Sequence, residues 1–197
     1  MAMCTNITNC VIILMVSIMK KLEEKTKKES IVYNGSFLEF RKDEVILPDD
    51  NIAYREYLHH PGAVAILVID SDNNIYIERQ YRYPLRKVIY EIPAGKLEKD
   101  EDILEAAKRE LEEETGLVSK SLEKLGETYP CVGYSDEVIY IFLAKDFKEG
   151  KQHLDEEEFV DVVKMPFEKV KEMIISGEIK DSKTVHAIYL YEMKYCK

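Results

Sequence analysis

Cysteine is scarce in this chain of 197 residues. Cys4, Cys10, Cys131 and Cys196 are scattered and none forms a C-x-x-C pair, so their spacing supports neither a structural zinc site nor a disulfide framework. Reduced thiols in a cytoplasmic protein are the expectation. Positive charge is also in short supply. Lys and Arg total 28 against 38 Asp and Glu, a net charge of −10. That balance argues against a nucleic-acid partner, because binding a phosphate backbone needs a basic footprint. A small anionic ligand stays admissible where a few arginines or a metal ion offset the local field.

Long apolar runs are missing too. Residues 10–19 (CVIILMVSIM) are the one extended stretch, well short of the roughly 20 residues that span a bilayer. No Lys or Arg precedes it, so the basic start of a signal peptide is absent. No membrane partner is expected. Residues 1–20 read as an N-terminal extension, either disordered or a mis-assigned upstream start before Met19, with a membrane-associated segment the lesser alternative. Internal repeats and low-complexity linkers are absent as well.

What the chain does contain is the composition of a folded domain, 46% hydrophobic and 34% charged. Residues 21–58 predict short antiparallel strands (IVYNG, SFLEFRKDEVIL, NIAYREYL) with turns at Asn34-Gly35 and Pro48–Asp50. AVAILVID, residues 63–70, is nearly continuous apolar sequence, the pattern of a strand covered on both faces. The turn SDNN then predicts a hairpin back through IYIERQYRY. VIYEIPA, EVIYIFLA and EFVDVVKM predict further strands. A helix is expected from Pro166 with Phe167, Val170 and Ile174 on its inner face and Gly177 at its end. A last helix should run from about Lys183 to Tyr195 behind an Asp181-Ser182 cap. Together these elements predict a mixed sheet with helices on its faces.

Residues 95–117, GKLEKDEDILEAAKRELEEETGL, crowd acidic side chains into one predicted helix fenced by glycines. At about 100° per residue, Glu110, Glu113 and Glu114 share one side, while Glu112 points away. Ile103, Leu104, Ala107 and Leu111 fill the adjoining arc, so the carboxylates sit at the edge of the buried face. Like charges three and four residues apart repel, and a divalent cation would turn that cost into a gain. Carboxylate oxygens suit Mg²⁺, a hard ion that also shares substrate phosphates. Gly95 would let the backbone pass close to a ligand, with the Ala94 carbonyl able to coordinate. Gly116 stands where a helix end needs the left-handed conformation.

Gly95, five residues, Glu101, seven residues, then Arg109-Glu110-Leu111-x-Glu113-Glu114-x-Gly116-Leu117 matches every position of the Nudix box. The chain therefore resembles the Nudix hydrolases. HHPGAVAI, ERQYRYPL, YEIPAGKLE and HLDEEEFV are similar to segments of the ADP-ribose pyrophosphatase branch, so the resemblance covers roughly residues 31–195. It implies an α+β fold, an α/β/α sandwich around a mixed β-sheet. The N-terminal antiparallel β region (21–58) would mediate a homodimer with partly exchanged strands, and residues 59–197 would be the hydrolase domain. The implied activity is Mg²⁺-dependent hydrolysis of the diphosphate of a nucleotide sugar, ADP-ribose to AMP and ribose 5-phosphate, with Mn²⁺ an alternative ion. Other substrates stay open, a GDP-mannose-like sugar or another ADP-sugar among them. So does a silent nucleotide-sugar sensor, against which the intact box speaks.

By the same resemblance Glu110, Glu114 and the Ala94 carbonyl hold metal, and Glu113 lies close by. Glu101 and Arg109 orient the ligands, with Gly95 and Gly116 shaping the backbone. Arg82 corresponds to a phosphate contact, and Arg55 and Glu56 to nucleoside contacts. The general base is expected from the loop HLDEEEFV, where Glu156 and Glu158 are favoured, Glu156 slightly ahead, with Glu113 next. One departure stands out: YPCVGYSDE carries Val132 where this branch usually has proline, with Pro130 two residues earlier.

Overall fold

The computed structural model describes residues 22–154 and 156–195. The extension expected over residues 1–20, and with it Cys4 and Cys10, lies outside the described residues, as do Asp155 and Cys196. Two compact units are present. The first runs to His60 and takes in Gly133–Ser135; the second comprises Pro61–Val132 and Asp136 onwards.

The first unit is one antiparallel sheet of β1 (Lys25–Lys28), β2 (Ile31–Asn34), β3 (Glu39–Ile46) and β4 (Ile52–His59). β3 is its axis: β4 pairs along its whole length, while β1 and β2 follow one another along its other edge. The break between β1 and β2 is held by Asp43, a buried carboxylate on β3. It accepts from the Ser30 backbone N–H at 3.0 Å and the Tyr57 hydroxyl at 3.0 Å. Nothing in the pattern of KTKK announces β1; it is a strand because the edge of β3 supplies its hydrogen bonds.

In the second unit the order is β5 (Ala63–Val68), β6 (Asn74–Arg82), β7 (Lys87–Glu91), β8 (Ala94–Lys96), α1 (Ile103–Thr115), β9 (Leu117–Val118), β10 (Glu123–Thr128), β11 (Ile139–Ala144), β12 (Lys148–Glu149), β13 (Val160–Pro166), α2 (Phe167–Ile175) and α3 (Ser182–Tyr195). A mixed four-stranded sheet has the order β10-β11-β5-β8, with β5 and β11 parallel. A three-stranded antiparallel sheet has the order β13-β6-β7.

β5 explains its own sequence. Val64, Ile66 and Val68 pack on Ala106, Ala107 and Leu111 of α1. The alternate residues Ala63, Ala65 and Leu67 join Ile75, Ile77, Phe167, Val170, Ile188 and Tyr191 on the opposite side. With a core on each face, the strand has no polar alternation to show. Each large side chain so buried contributes about 1.5–3 kcal/mol. The result is the α/β/α sandwich, α1 on one side and α2 and α3 on the other.

Two expectations need correcting. β5 and β6 do not form a hairpin. A single bridge, Ile69 to Ile75, links them, because β11 and β8 already occupy both edges of β5. The intervening turn redirects the chain: Asp70 accepts from the backbone N–H groups of Asp72 and Asn74, both at 2.9 Å, and Asn73 takes a positive φ of 61°. In α2 the buried face is Phe167, Val170 and Met173, with Ile174 at its margin rather than its centre.

Candidate active site

The local signals that start and stop α1 fix where its carboxylates point. Asp102 caps its first turn, Oδ1 accepting from Leu104 N at 2.9 Å and Glu105 N at 3.2 Å. Gly116 ends it at φ 70°, its N–H bonded to Glu112 O at 2.8 Å. Between these ends Ala106, Ala107, Glu110, Leu111 and Glu114 are buried. Two glutamates therefore share the inward face with the apolar side chains, and Glu113 stays at its rim.

α1 lies over β8, and Gly95 is the point of closest approach. It sits inside β8, opposite Val64 of β5. What comes close is the helix itself: a Cβ on Gly95 would stand 1.9 Å from the Glu110 carboxyl. Glycine is required here to admit a carboxylate of the protein's own. Next to it, the Ala94 N–H donates to Glu114 Oε2 at 2.8 Å, which fixes the second buried glutamate.

Arg109 ties the box together. Its guanidinium makes two bonds to Glu101 at 2.8 and 2.9 Å, one to Glu110 at 2.8 Å and one to Glu113 at 2.9 Å. Glu101 also accepts from Glu98 N at 3.0 Å, bracing the loop between β8 and α1. The antiparallel sheet brings a second set of charged side chains together. β6–β7 register places Glu78 across from Glu91. Arg82 binds both oxygens of Glu91, each at 2.7 Å, and Lys183, at the start of α3, bonds to the same carboxylate.

Electrostatics follow this arrangement. Burial pushes Glu114 up to about 10, with Glu78 and Glu110 adding to the effect and the Ala94 N–H opposing it. Glu78 is pushed up to about 8 by burial and by the neighbouring Glu91. Glu110 is raised by burial, against the pull of Arg109. Burial disfavours the Glu91 carboxylate as well, yet Arg82 and Lys183 hold it below its ordinary value. The site thus carries carboxylates that are hard to ionise together without additional positive charge.

Of the two loop glutamates, Glu158 raises the values of Glu78, Glu110 and Glu114; Glu156 is among the named causes of none of these. The loop is tethered to the end of α1, where His153 N donates to Glu113 O at 2.9 Å and Gly150 N to Gly116 O at 2.6 Å. Arg55 and Glu56 belong to the first unit, paired there with Glu24 and Lys42 respectively.

A hard divalent cation fits this donor set. Glu110 and Glu114 are both buried on α1, Gly95 keeps room for the first, and one oxygen of Glu78 has no hydrogen-bond partner. Among the described residues no group of three or more His, Cys, Asp or Glu side chains is arranged to hold a metal ion. Mg²⁺ needs none, since it is commonly held by one or two carboxylates together with water and substrate phosphates. Glu78, Glu91 and Lys183 escape a reading of the sequence, because strand register and the start of α3 bring them together. The one signal was a glutamate following Ile75 and Ile77 in a strand.

The NUDIX domain family profile matches residues 58–187. An ADP-ribose pyrophosphatase of Bacillus subtilis is 41% identical over 178 residues, 89% of this chain and 96% of that protein. A methanol dehydrogenase activator of Bacillus methanolicus is 42% identical over 177 residues, again 89% of this chain and 96% of that one. Among solved structures, the crystal structure of an ADP compounds hydrolase superposes with a TM-score of 0.76 at 18% identity, covering 88% of this chain and 95% of that one. With its box intact on α1 and these likenesses running nearly its full length, the chain belongs to the Nudix family of hydrolases.

Proposed function

We propose that this protein hydrolyses the diphosphate of a nucleoside-diphosphate sugar, foremost ADP-ribose, to AMP and ribose 5-phosphate. The observation that carries the reading is the buried Glu110–Glu114 pair, Glu110 set against Gly95 and Glu114 within the field of Arg82. Glu110, Glu114 and the Ala94 carbonyl would hold a divalent cation, Mg²⁺ with Mn²⁺ as a substitute, which when bound would supply neutralising charge for the diphosphate and acidify water. Arg109 holds Glu110 and Glu113 in place, and the Ala94 N–H holds Glu114. Arg82 spends Nε and one terminal nitrogen on Glu91, leaving its other nitrogen for a phosphate oxygen. Glu158 accepts the proton of the attacking water, a role favoured over Glu156 by the reach of its charge to the buried carboxylates. Val132 occupies an exposed turn.

Arg55 and Glu56 are proposed to meet the nucleoside, which requires them to exchange Glu24 and Lys42 for substrate. Residues 21–58 are proposed to form the interface of a cytoplasmic homodimer, a reading supported by exposed Ile31, Val32, Tyr33, Ile52 and Tyr54 on that unit. Light scattering at micromolar concentration should give twice the chain mass; an active monomer would contradict the interface. The substrate reading is checked by kcat/KM for ADP-ribose and GDP-mannose with Mg²⁺ and with EDTA. ADP-ribose should lead, with turnover lost in EDTA. A preference for GDP-mannose would overturn the substrate, and turnover of neither would overturn the reaction.

A further inference from the structure

Among the described residues, Glu78 Oε1 is the buried side-chain atom left without any hydrogen-bond partner. Its residue is 1% exposed. Such a group is costly, and an apolar side chain like those of Ile75 and Ile77 would serve packing better. The nearest cations favour its ionised form but give Oε1 no hydrogen bond. Arg82 and Lys183 both bond to Glu91, the residue across the ladder. What surrounds Glu78 otherwise is negative: Glu91 and Glu158 both disfavour its ionised form, and Glu78 in turn disfavours that of Glu114.

Glu110 and Glu114 come from α1 and Glu78 from β6, and the Glu78 carboxylate lies near enough to Glu114 to disfavour its ionised form. We propose that Glu78 is an additional ligand for the divalent cation, a carboxylate supplied by the sheet and outside the Nudix box. This rests on the reading that Glu110 and Glu114 bind such a cation. A cation gives Oε1 the partner the protein withholds, and it neutralises the facing carboxylates. No bond fixes Oε1, so the group can turn toward an ion. The competing account keeps Glu78 as a neutral acid donating to a neighbouring carboxylate, with no part in holding metal.

Mn²⁺ titration of the substrate-free protein, read from the electron paramagnetic resonance of the free ion, separates these accounts. Glu78→Gln imitates the neutral acid, and Glu78→Val is a packing replacement should the amide misfold. Both variants should bind Mn²⁺ at least about 10-fold more weakly than the unsubstituted protein. Without metal both should melt at a higher temperature, and both should gain less on adding Mn²⁺. Unchanged Mn²⁺ affinity in Glu78→Gln or Glu78→Val would overturn the proposal. Glu114→Gln is the control: if it loses affinity while Glu78→Gln does not, Glu78 alone is misassigned. If neither loses affinity, the metal reading of the helix fails first.

Discussion

Gly95 is the residue on which the arrangement of the helix carboxylates depends most sharply. Any Cβ there meets the Glu110 carboxyl at 1.9 Å, far inside contact distance. That carboxyl is the end of a flexible side chain, so it can yield while the backbone stays. Gly95→Ala should therefore fold at a cost of about 1–3 kcal/mol yet displace Glu110 from Arg109 and from the site. Activity should fall by at least ~10-fold, with weaker Mn²⁺ binding, readable by thermal denaturation and by titration. Normal turnover and affinity would mean that Glu110 is not held as described. Gly95 shows what a sequence can and cannot disclose. Its place in the box was legible from spacing alone. That it makes room for a side chain of its own protein was not, because the helix–strand approach is a tertiary fact.

At the scale of elements, α1 and the loop from Gly150 to Phe159 act as a pair. Gly116 ends the helix in the left-handed region, and a Cβ on it would stand 2.8 Å from Gln152 N. The same corner anchors the loop through Gly150 N and His153 N, and that loop carries Glu158. If Glu158 is the base, Glu158→Gln should lower kcat at least ~100-fold with Mn²⁺ affinity retained, while Glu156→Gln stays near the unsubstituted rate. The reverse pattern would move the assignment to Glu156, and loss in neither would move it to Glu113. Elements with strong periodicity or composition, such as α1 and β5, were legible. β1 and β10 were not, since KTKK and EKLGET carry no alternating apolar pattern and are strands only by pairing. The hairpin expected after Ile69 failed for a related reason: local turn chemistry was right, but both edges of β5 were already taken.

Across the whole molecule, the buried carboxylates make stability depend on pH. Glu78 at about 8 and Glu114 at about 10 lie above the ordinary 4.5 they approach when unfolded. Between these values the folded protein keeps protons that the unfolded chain releases. The associated stability is complete below about pH 4.5 and is lost as pH rises through 8 toward 10. Metal-free protein should accordingly melt at a progressively lower temperature between pH 5 and pH 8. Saturating Mg²⁺ should flatten that decline, because it favours the ionised carboxylates. A melting temperature that stays level across this range in EDTA would show that the carboxylates are not buried together. The site's other half, Glu91 with Arg82 and Lys183, joins residues 92 apart in the chain. No local window could have revealed it.

The central claim is hydrolysis of a nucleotide-sugar diphosphate by the carboxylates of α1. Phosphorus-31 NMR of ADP-ribose with purified protein tests it most directly, comparing the unsubstituted chain with Glu114→Gln at saturating Mg²⁺. With the unsubstituted chain the diphosphate signals should give way to those of AMP and ribose 5-phosphate. Folded Glu114→Gln should slow this by orders of magnitude. An unchanged spectrum with the unsubstituted protein, or equal rates with both, would contradict it.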